Sequence, residues 1–298
     1  MHSISSLQFA RSSGSPERKR RDVFGLARPY PVRSAFTLVE LLVVIGIIAV
    51  LAAIITPAVM RAQASARNAA IKAEIDMLHM AIMNYKNEYG SFPPSSSSTA
   101  AGSSASRHLS RLFPRIPAAD VSIQLRALPY LNIGSGSFPY ASAVTPDSAL
   151  VAWLYGFNDN PVSPILWTNG TTTVSGSHIV VTGTAIDRQK LFDFDRSRIS
   201  NSYQYYPAGK PESPYIIIFS GTSAEQYGTV ATPSPFTVNG TTYRAELMTT
   251  PTGQVFFNQD SFQILCAGRD GVWGPTSDDD LSNFWPGTRR DYQDSLNQ

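Results

Sequence analysis

A chain of 298 residues with a formal net charge of +2 is long enough to bury a sizeable core, and its single cysteine, Cys266, excludes an internal disulfide framework. The small total conceals an asymmetry: residues 1–35 hold seven Lys/Arg against two acids, a net of +5, and the remainder holds 17 against 20, a net of −3. That acidic remainder excludes a general electrostatic pull toward nucleic acid. The four histidines lack metal-ligand spacing, no hydrolase, zincin or phosphate-loop motif occurs, and no catalytic residue is expected.

Residues 1–35 are rich in Ser, Arg and Pro without hydrophobic periodicity, and read as a disordered basic leader. Residues 36–60 are its opposite. From Phe36 to Ile55 the only charge is Glu40, and the next is Arg61. The run exceeds the ~20 apolar residues that carry a helix across a hydrocarbon core. Arg18-Lys19-Arg20-Arg21, Arg28 and Arg33 lie directly before it, so the positive-inside tendency keeps the N-terminus cytoplasmic and exports the chain beyond Arg61. Glu40 is costly in lipid unless a cation neutralises it.

The segment Arg33-Ser34-Ala35-Phe36-Thr37-Leu38-Val39-Glu40 resembles the cleavage and methylation site of type IV prepilins and type II secretion pseudopilins. The resemblance implies a prepilin peptidase cut between Ala35 and Phe36, N-methylation of Phe36, and retention of the apolar helix. It also implies pairing of Glu40 with the N-terminal ammonium of a neighbouring subunit in a filament. Ala35 departs from the family's usual Gly before the cut. Partners implied are copies of the same chain or other pilins and pseudopilins, prepilin peptidase, an inner-membrane assembly platform and the lipid bilayer. A secretory signal peptide differs in having a shorter apolar core that ends at its cleavage site.

Residues 61–90 continue the helix outside the membrane. Ile71, Ile75, Leu78, Ile82, Tyr85 and Tyr89 recur at steps of three and four and define one apolar face. Lys72 and Asp76 form an i,i+4 pair worth a few tenths of a kcal/mol. Pro57 removes the donor for the Ala53 carbonyl and predicts a kink, at a position where the resembled family also has proline. Tyr89-Gly90-Ser91-Phe92-Pro93-Pro94 stops the helix.

Residues 91–164 read as a variable insertion: a mobile Ser/Ala/Gly loop over 95–107, then short apolar runs with a helix over 148–155 capped by Asp147 or Ser148. Residues 165–298 read as strands. Asn169-Gly170 and Asn239-Gly240 each sit between β-prone residues and predict hairpin turns. Further strands are expected at 178–184, 203–206, 215–219 and 262–266. The fold class is therefore α+β: a long N-terminal helix, membrane-spanning in its first half, packed on a C-terminal antiparallel sheet. That is also the pilin fold.

One acidic loop stands out near the C-terminus, running from Ile264 to Leu281. Asp278, Asp279 and Asp280 are adjacent, and a Gly-rich turn brings Asp270 toward them. Hard Ca²⁺ takes six to eight oxygens of this kind. The alternative is an Asx-turn followed by a helix N-cap at Asp278. The loop resembles the calcium loop of major pseudopilins, which implies ligands from Asp270, Asp278 and Asp279, with Asp280 as an alternative, helped by the Leu265 carbonyl and the Ser277 hydroxyl. Type IVa pilins generally carry a C-terminal disulfide that one cysteine cannot make, so the resemblance favours a type II secretion pseudopilin over a type IV pilus subunit. A reading of another class is a membrane-anchored carbohydrate-binding or hydrolytic domain using Trp153, Trp167, Trp273 and Trp285 as exposed aromatics.

Overall fold

The computed structural model describes residues 36–129, 136–139, 143–166, 171–176, 178–182, 188–209, 213–221 and 226–297. The chain divides into two compact units, Met1–Ile55 and Thr56–Gln298. Helix α1 spans Leu38–Tyr89 with Pro57 inside it, and ends where Gly90 takes a positive φ of 79°.

In the second unit, the expected stripe is the buried one. Ile71, Ile75, Leu78, Ile82 and Tyr85 are buried together with Glu74 and Ala81, and Tyr89 is half-buried. They are covered by a three-stranded antiparallel sheet ordered β12-β11-β6, where β6 is Ile216–Phe219, β11 is Phe262–Cys266 and β12 is Leu281–Ser282. Its register pairs Phe262 with Phe219, Ile264 with Ile217 and Leu265 with both Ile216 and Ser282. Every residue of β6 and β11 is buried, which explains why β6 is an unbroken apolar run rather than an alternating one. Alternate side chains point to opposite faces of the sheet. Ile217, Phe219, Phe262, Ile264 and Cys266 join the core against α1. Ile216, Ile218 and Leu265 join a second, aromatic core with Tyr227, Tyr243, Phe256, Trp273 and Trp285.

The remaining elements surround this sandwich. Strand β1 (Ser97–Ser98) pairs with β3 (Ala143–Val144), and helices α2 (Ser104–Leu112), α3 (Ala118–Ala127) and α4 (Ala149–Leu154) contribute to the first core. Strands β2 (Gly136–Pro139), β5 (His178–Thr182) and β4 (Thr171–Ser175) form a second three-stranded sheet in that order. Strands β7 (Phe236–Val238) and β8 (Thr241–Tyr243) form one hairpin, β9 (Leu247–Thr250) and β10 (Gly253–Phe256) another, and α5 spans Arg289–Leu296.

Four expectations are corrected. The serine-rich stretch 95–107 is not a loose loop: Ser95, Ser97 and Thr99 are buried. The Ser97 hydroxyl accepts from Ala105 N at 3.0 Å and Ser104 Oγ at 2.8 Å, and Ser103 caps α2 by accepting from Ser106 N at 3.1 Å. These hydroxyls bond locally to backbone, which composition alone does not reveal. Helix α4 begins at the expected place, but neither capping candidate caps it: Ser148 Oγ accepts backward from Thr145 N, and Asp147 accepts from Gln204. The segment 203–206 is no strand, because Tyr203 takes a φ of 61° and only an isolated bridge joins Ile199 to Tyr205. Ile165 and Leu166 are buried bends rather than strand, and β4 turns into β5 at Gly176. Asn169-Gly170 lies outside the described residues. Asn239-Gly240 is the tight turn expected, with φ of 50° and 84° joining β7 to β8.

Core packing is the fate of the described tryptophans. Trp153, Trp273 and Trp285 are buried, and Trp153 Nε1 donates to the Pro94 carbonyl at 3.0 Å. Trp167 lies outside the described residues. The three described tryptophans therefore offer no exposed aromatic platform.

A buried carboxylate pins α1 to the domain. Glu74 accepts from Tyr205 Oη at 2.8 Å, Tyr215 Oη at 2.6 Å and Arg198 Nη2 at 2.5 Å. Arg198 also donates to the Tyr206 carbonyl and lies over the Tyr205 ring. Removing one partner of such a network strands the others away from water. Glu74→Ala is expected to cost about 3–5 kcal/mol in chemical denaturation of the full chain. Asp76→Ala, one partner of the 3.1 Å surface pair with Lys72, should cost only a few tenths of a kcal/mol.

His108 provides a second check. It is buried 2.9 Å from Tyr85 Oη, and burial first, then Arg111, lowers its pKa to about 4. The unfolded chain, with an ordinary value near 6.5, then binds more protons than the folded one in between. The stability held by neutral His108 is complete above about pH 6.5 and falls away as pH drops through 4. His108→Gln should flatten the melting temperature against pH over that window.

Candidate functional site

The N-terminal segment is built around the first turn of α1. A helix start leaves four N–H groups without intrahelical partners. Glu40 N donates to Thr37 Oγ1 at 3.2 Å, while Glu40 Oε2 accepts from Thr37 N at 2.9 Å and Thr37 Oγ1 at 2.8 Å. This is a reciprocal capping box of the Thr-x-x-Glu type. Reading Glu40 only as an acid in need of a cation missed it, although Thr37 three residues upstream was the visible signal. The box satisfies donors of the first turn without changing the carboxylate's charge, so the demand for a cation in an apolar medium stands.

Beyond Glu40, the helix is apolar on every side. Leu38, Leu41, Leu42, Ile45, Ile48, Leu51 and Ile54 are each more than half exposed, as is Phe36 at 74 %. Consecutive apolar residues leave no polar face, and the 18-residue apolar window is not buried among the described residues. A helix of this length and composition matches a hydrocarbon layer. Pro57 sits inside it, and Ala35 and the basic leader lie outside the described residues.

The acidic loop is folded back on itself. An added Cβ at Gly268 would clash with the Asp279 carbonyl oxygen and lie 2.5 Å from the Asp279 Cγ, so this glycine makes room for Asp279. Asp279 accepts from Arg269 N at 2.7 Å and from Ser277 Oγ at 3.0 Å. Asp270 accepts from Val272 N at 2.8 Å, the Asx-turn alternative of the sequence. Asp278 faces solvent beside Arg290, and no helix comes directly after it; β12 does. Asp280 lies in the interior, where its Oδ2 accepts from Gly274 N at 3.0 Å. Leu265 is a buried central-strand residue paired on both sides.

Of the six residues assigned to calcium, Ser277 and Asp279 bond each other, Asp278 faces solvent, and Leu265 and Asp280 are buried. Among the described residues no three His, Cys, Asp or Glu side chains gather as a metal-ligating group. A calcium cage needs oxygens turned inward to one point. Here Asp270, Asp279 and Asp280 each already accept protein N–H or O–H groups, and of their oxygens only Asp280 Oδ1 is buried without a partner. The donor set in this arrangement does not fit the ion. Cys266, also buried, has a thiol pushed up to about 12 by burial, which leaves it inert.

Comparison with known proteins agrees with the first of these sites. Residues 31–56 match the family model described as the prokaryotic N-terminal methylation motif. No curated protein and no solved structure matches the chain. That motif stands at the head of a long apolar helix that leads into antiparallel sheets, an order of elements consistent with a type IV pilin-like protein.

Proposed function

We propose that the chain is a structural subunit of a pilus-like filament, most like a type II secretion pseudopilin. In this reading it waits as a single-pass protein of the bacterial inner membrane, basic leader in the cytoplasm and folded domain in the periplasm. Prepilin peptidase cuts between Ala35 and Phe36, Phe36 is methylated, and an assembly platform stacks the apolar helices. The observation that carries the reading is the methylation motif placed directly on a helix whose apolar window is not buried among the described residues. The +5 charge of residues 1–35 supports the orientation, since the positive-inside tendency holds such a segment on the cytoplasmic side.

A type IV pilus subunit, major or minor, is the second reading. It is favoured by the separate surroundings of Asp278 and Asp280 in the acidic loop, and is weakened by the lone Cys266.

Intact-mass measurement of protein from membranes should show a chain that begins at N-methylated Phe36; recovery of a chain beginning at Met1 would overturn both filament readings. Two roles of Glu40 can be separated by substitution. Glu40→Gln keeps a capping-box acceptor but removes the charge, and is expected to abolish cross-linked filament assembly while leaving the melting temperature unchanged. Thr37→Val keeps the charge and should cost about 1 kcal/mol of helix stability while filaments still form. Normal assembly by Glu40→Gln would reduce Glu40 to a cap.

A further inference from the structure

Of the three adjacent carboxylates only Asp280 is buried, and the chain carries a cation of its own beside the aromatic rings of the second core. Arg289, the first residue of α5, is buried. Its Nε donates to Asp280 Oδ2 at 2.8 Å and its Nη2 donates to Glu246 Oε1 at 2.8 Å, with Nη1 3.5 Å from Glu246 Oε2. Its backbone N donates to the Asp280 carbonyl at 2.8 Å. The guanidinium lies 5.0 Å from the ring centre of Trp273 and 4.7 Å from that of Trp285, two indoles stacked within 12° of parallel.

We propose that Arg289 is the built-in counter-cation of the acidic loop, and that it closes the loop without any divalent metal. Guanidinium and Ca²⁺ solve the same electrostatic problem with different geometry. The ion collects oxygens from all directions, whereas the planar guanidinium fork reaches only carboxylates in its own plane and accepts aromatic faces above and below. The loop has the second geometry. Asp280 and Glu246 lie at the fork, the two indoles stack on each other beside it, and Asp270 and Asp279 are left to backbone and serine donors. A divalent cation at Asp280 would stand within a few ångströms of a fixed positive charge in a desolvated setting, where repulsion is strong.

The approach of Arg289 is itself held by local chemistry. Thr288 caps α5 in a reciprocal box with Asp291, Thr288 N and Oγ1 donating to Asp291 Oδ2 at 2.8 and 2.9 Å. An isolated bridge joins Leu281 to Thr288, so the chain from Asp280 to Arg289 is a closed loop. Helix α5 therefore acts as a clasp that carries the cation to the loop.

Melting of the full-length protein in detergent micelles, followed by tryptophan emission, tests this with calcium chloride or with EGTA. Trp273 and Trp285 lie beside Arg289 and report on the site. The midpoint of the unaltered protein is expected to be the same in calcium and in EGTA, and Asp278→Asn should leave it unmoved. Arg289→Met should lower it by on the order of 10 °C, and Arg289→Lys, which retains charge but loses the fork, by less. A midpoint that falls in EGTA, a fall with Asp278→Asn, or Arg289→Met melting with the unaltered protein would each overturn the proposal. Should Arg289→Met fail to accumulate, the calcium and EGTA comparison and the lysine variant still decide it.

Discussion

Two strands buried on both faces, β6 and β11, set the terms for the second unit. Four and five residues of continuous buried chain cannot stop at one layer of cover. One face takes the stripe of α1 and the other takes an aromatic cluster, and the alternation of a pleated strand decides which residue serves which core. Main-chain donors of β6 that face away from β11 bond outside the ladder, Ile217 N to the Pro146 carbonyl and Phe219 N to Ser95 Oγ, and Gln263 of β11, fully buried, makes three hydrogen bonds to the Glu246 and Phe257 backbone.

Charge enters each core by the same device. Glu74 meets Arg198 on the α1 side, and Asp280 meets Arg289 on the other. Each guanidinium also rests against aromatic rings, Arg198 on Tyr205 and Arg289 on Trp273 and Trp285. Arginine suits this role because its charge is spread over a plane and weakly hydrated, so burying it costs less than burying an ammonium. Replacing such pairs by apolar residues can be neutral for stability, but removing one member is not. The pairs fix the direction in which distant segments approach: Glu74 holds partners 124 to 141 residues away along the chain.

What the sequence disclosed was whatever repeats with a period. The stripe at 71–85, the strands at 216–219 and 262–266, and the Asn239-Gly240 turn depend on spacing or on a local backbone preference, and each is where the pattern places it. What it concealed depends on partners far along the chain or on single hydroxyls. Glu74 lies on the apolar stripe three residues after Ile71, a signal of burial that becomes interpretable only once Tyr205, Tyr215 and Arg198 are in place. Ser97 and Ser103 belong to a compositionally bland run whose bonds are specific. Three aspartates in a row suggested one ligand cluster, but Asp278 and Asp280 end in different surroundings, one in solvent beside Arg290 and one in the core against Arg289. At the N-terminus the apolar run and the motif were legible, and the capping box was present in the letters Thr37 to Glu40 but overshadowed by the charge.

The order of the elements has a consequence for biogenesis. Residues 71–85 leave the ribosome long before residues 262–282, which supply the central and outer strands of the sheet that shields them. During that interval the nascent chain displays an amphipathic helix with an uncovered greasy side and a lone carboxylate, while its only shelter is still being translated. Such an intermediate invites premature association with neighbours until the sheet closes over it.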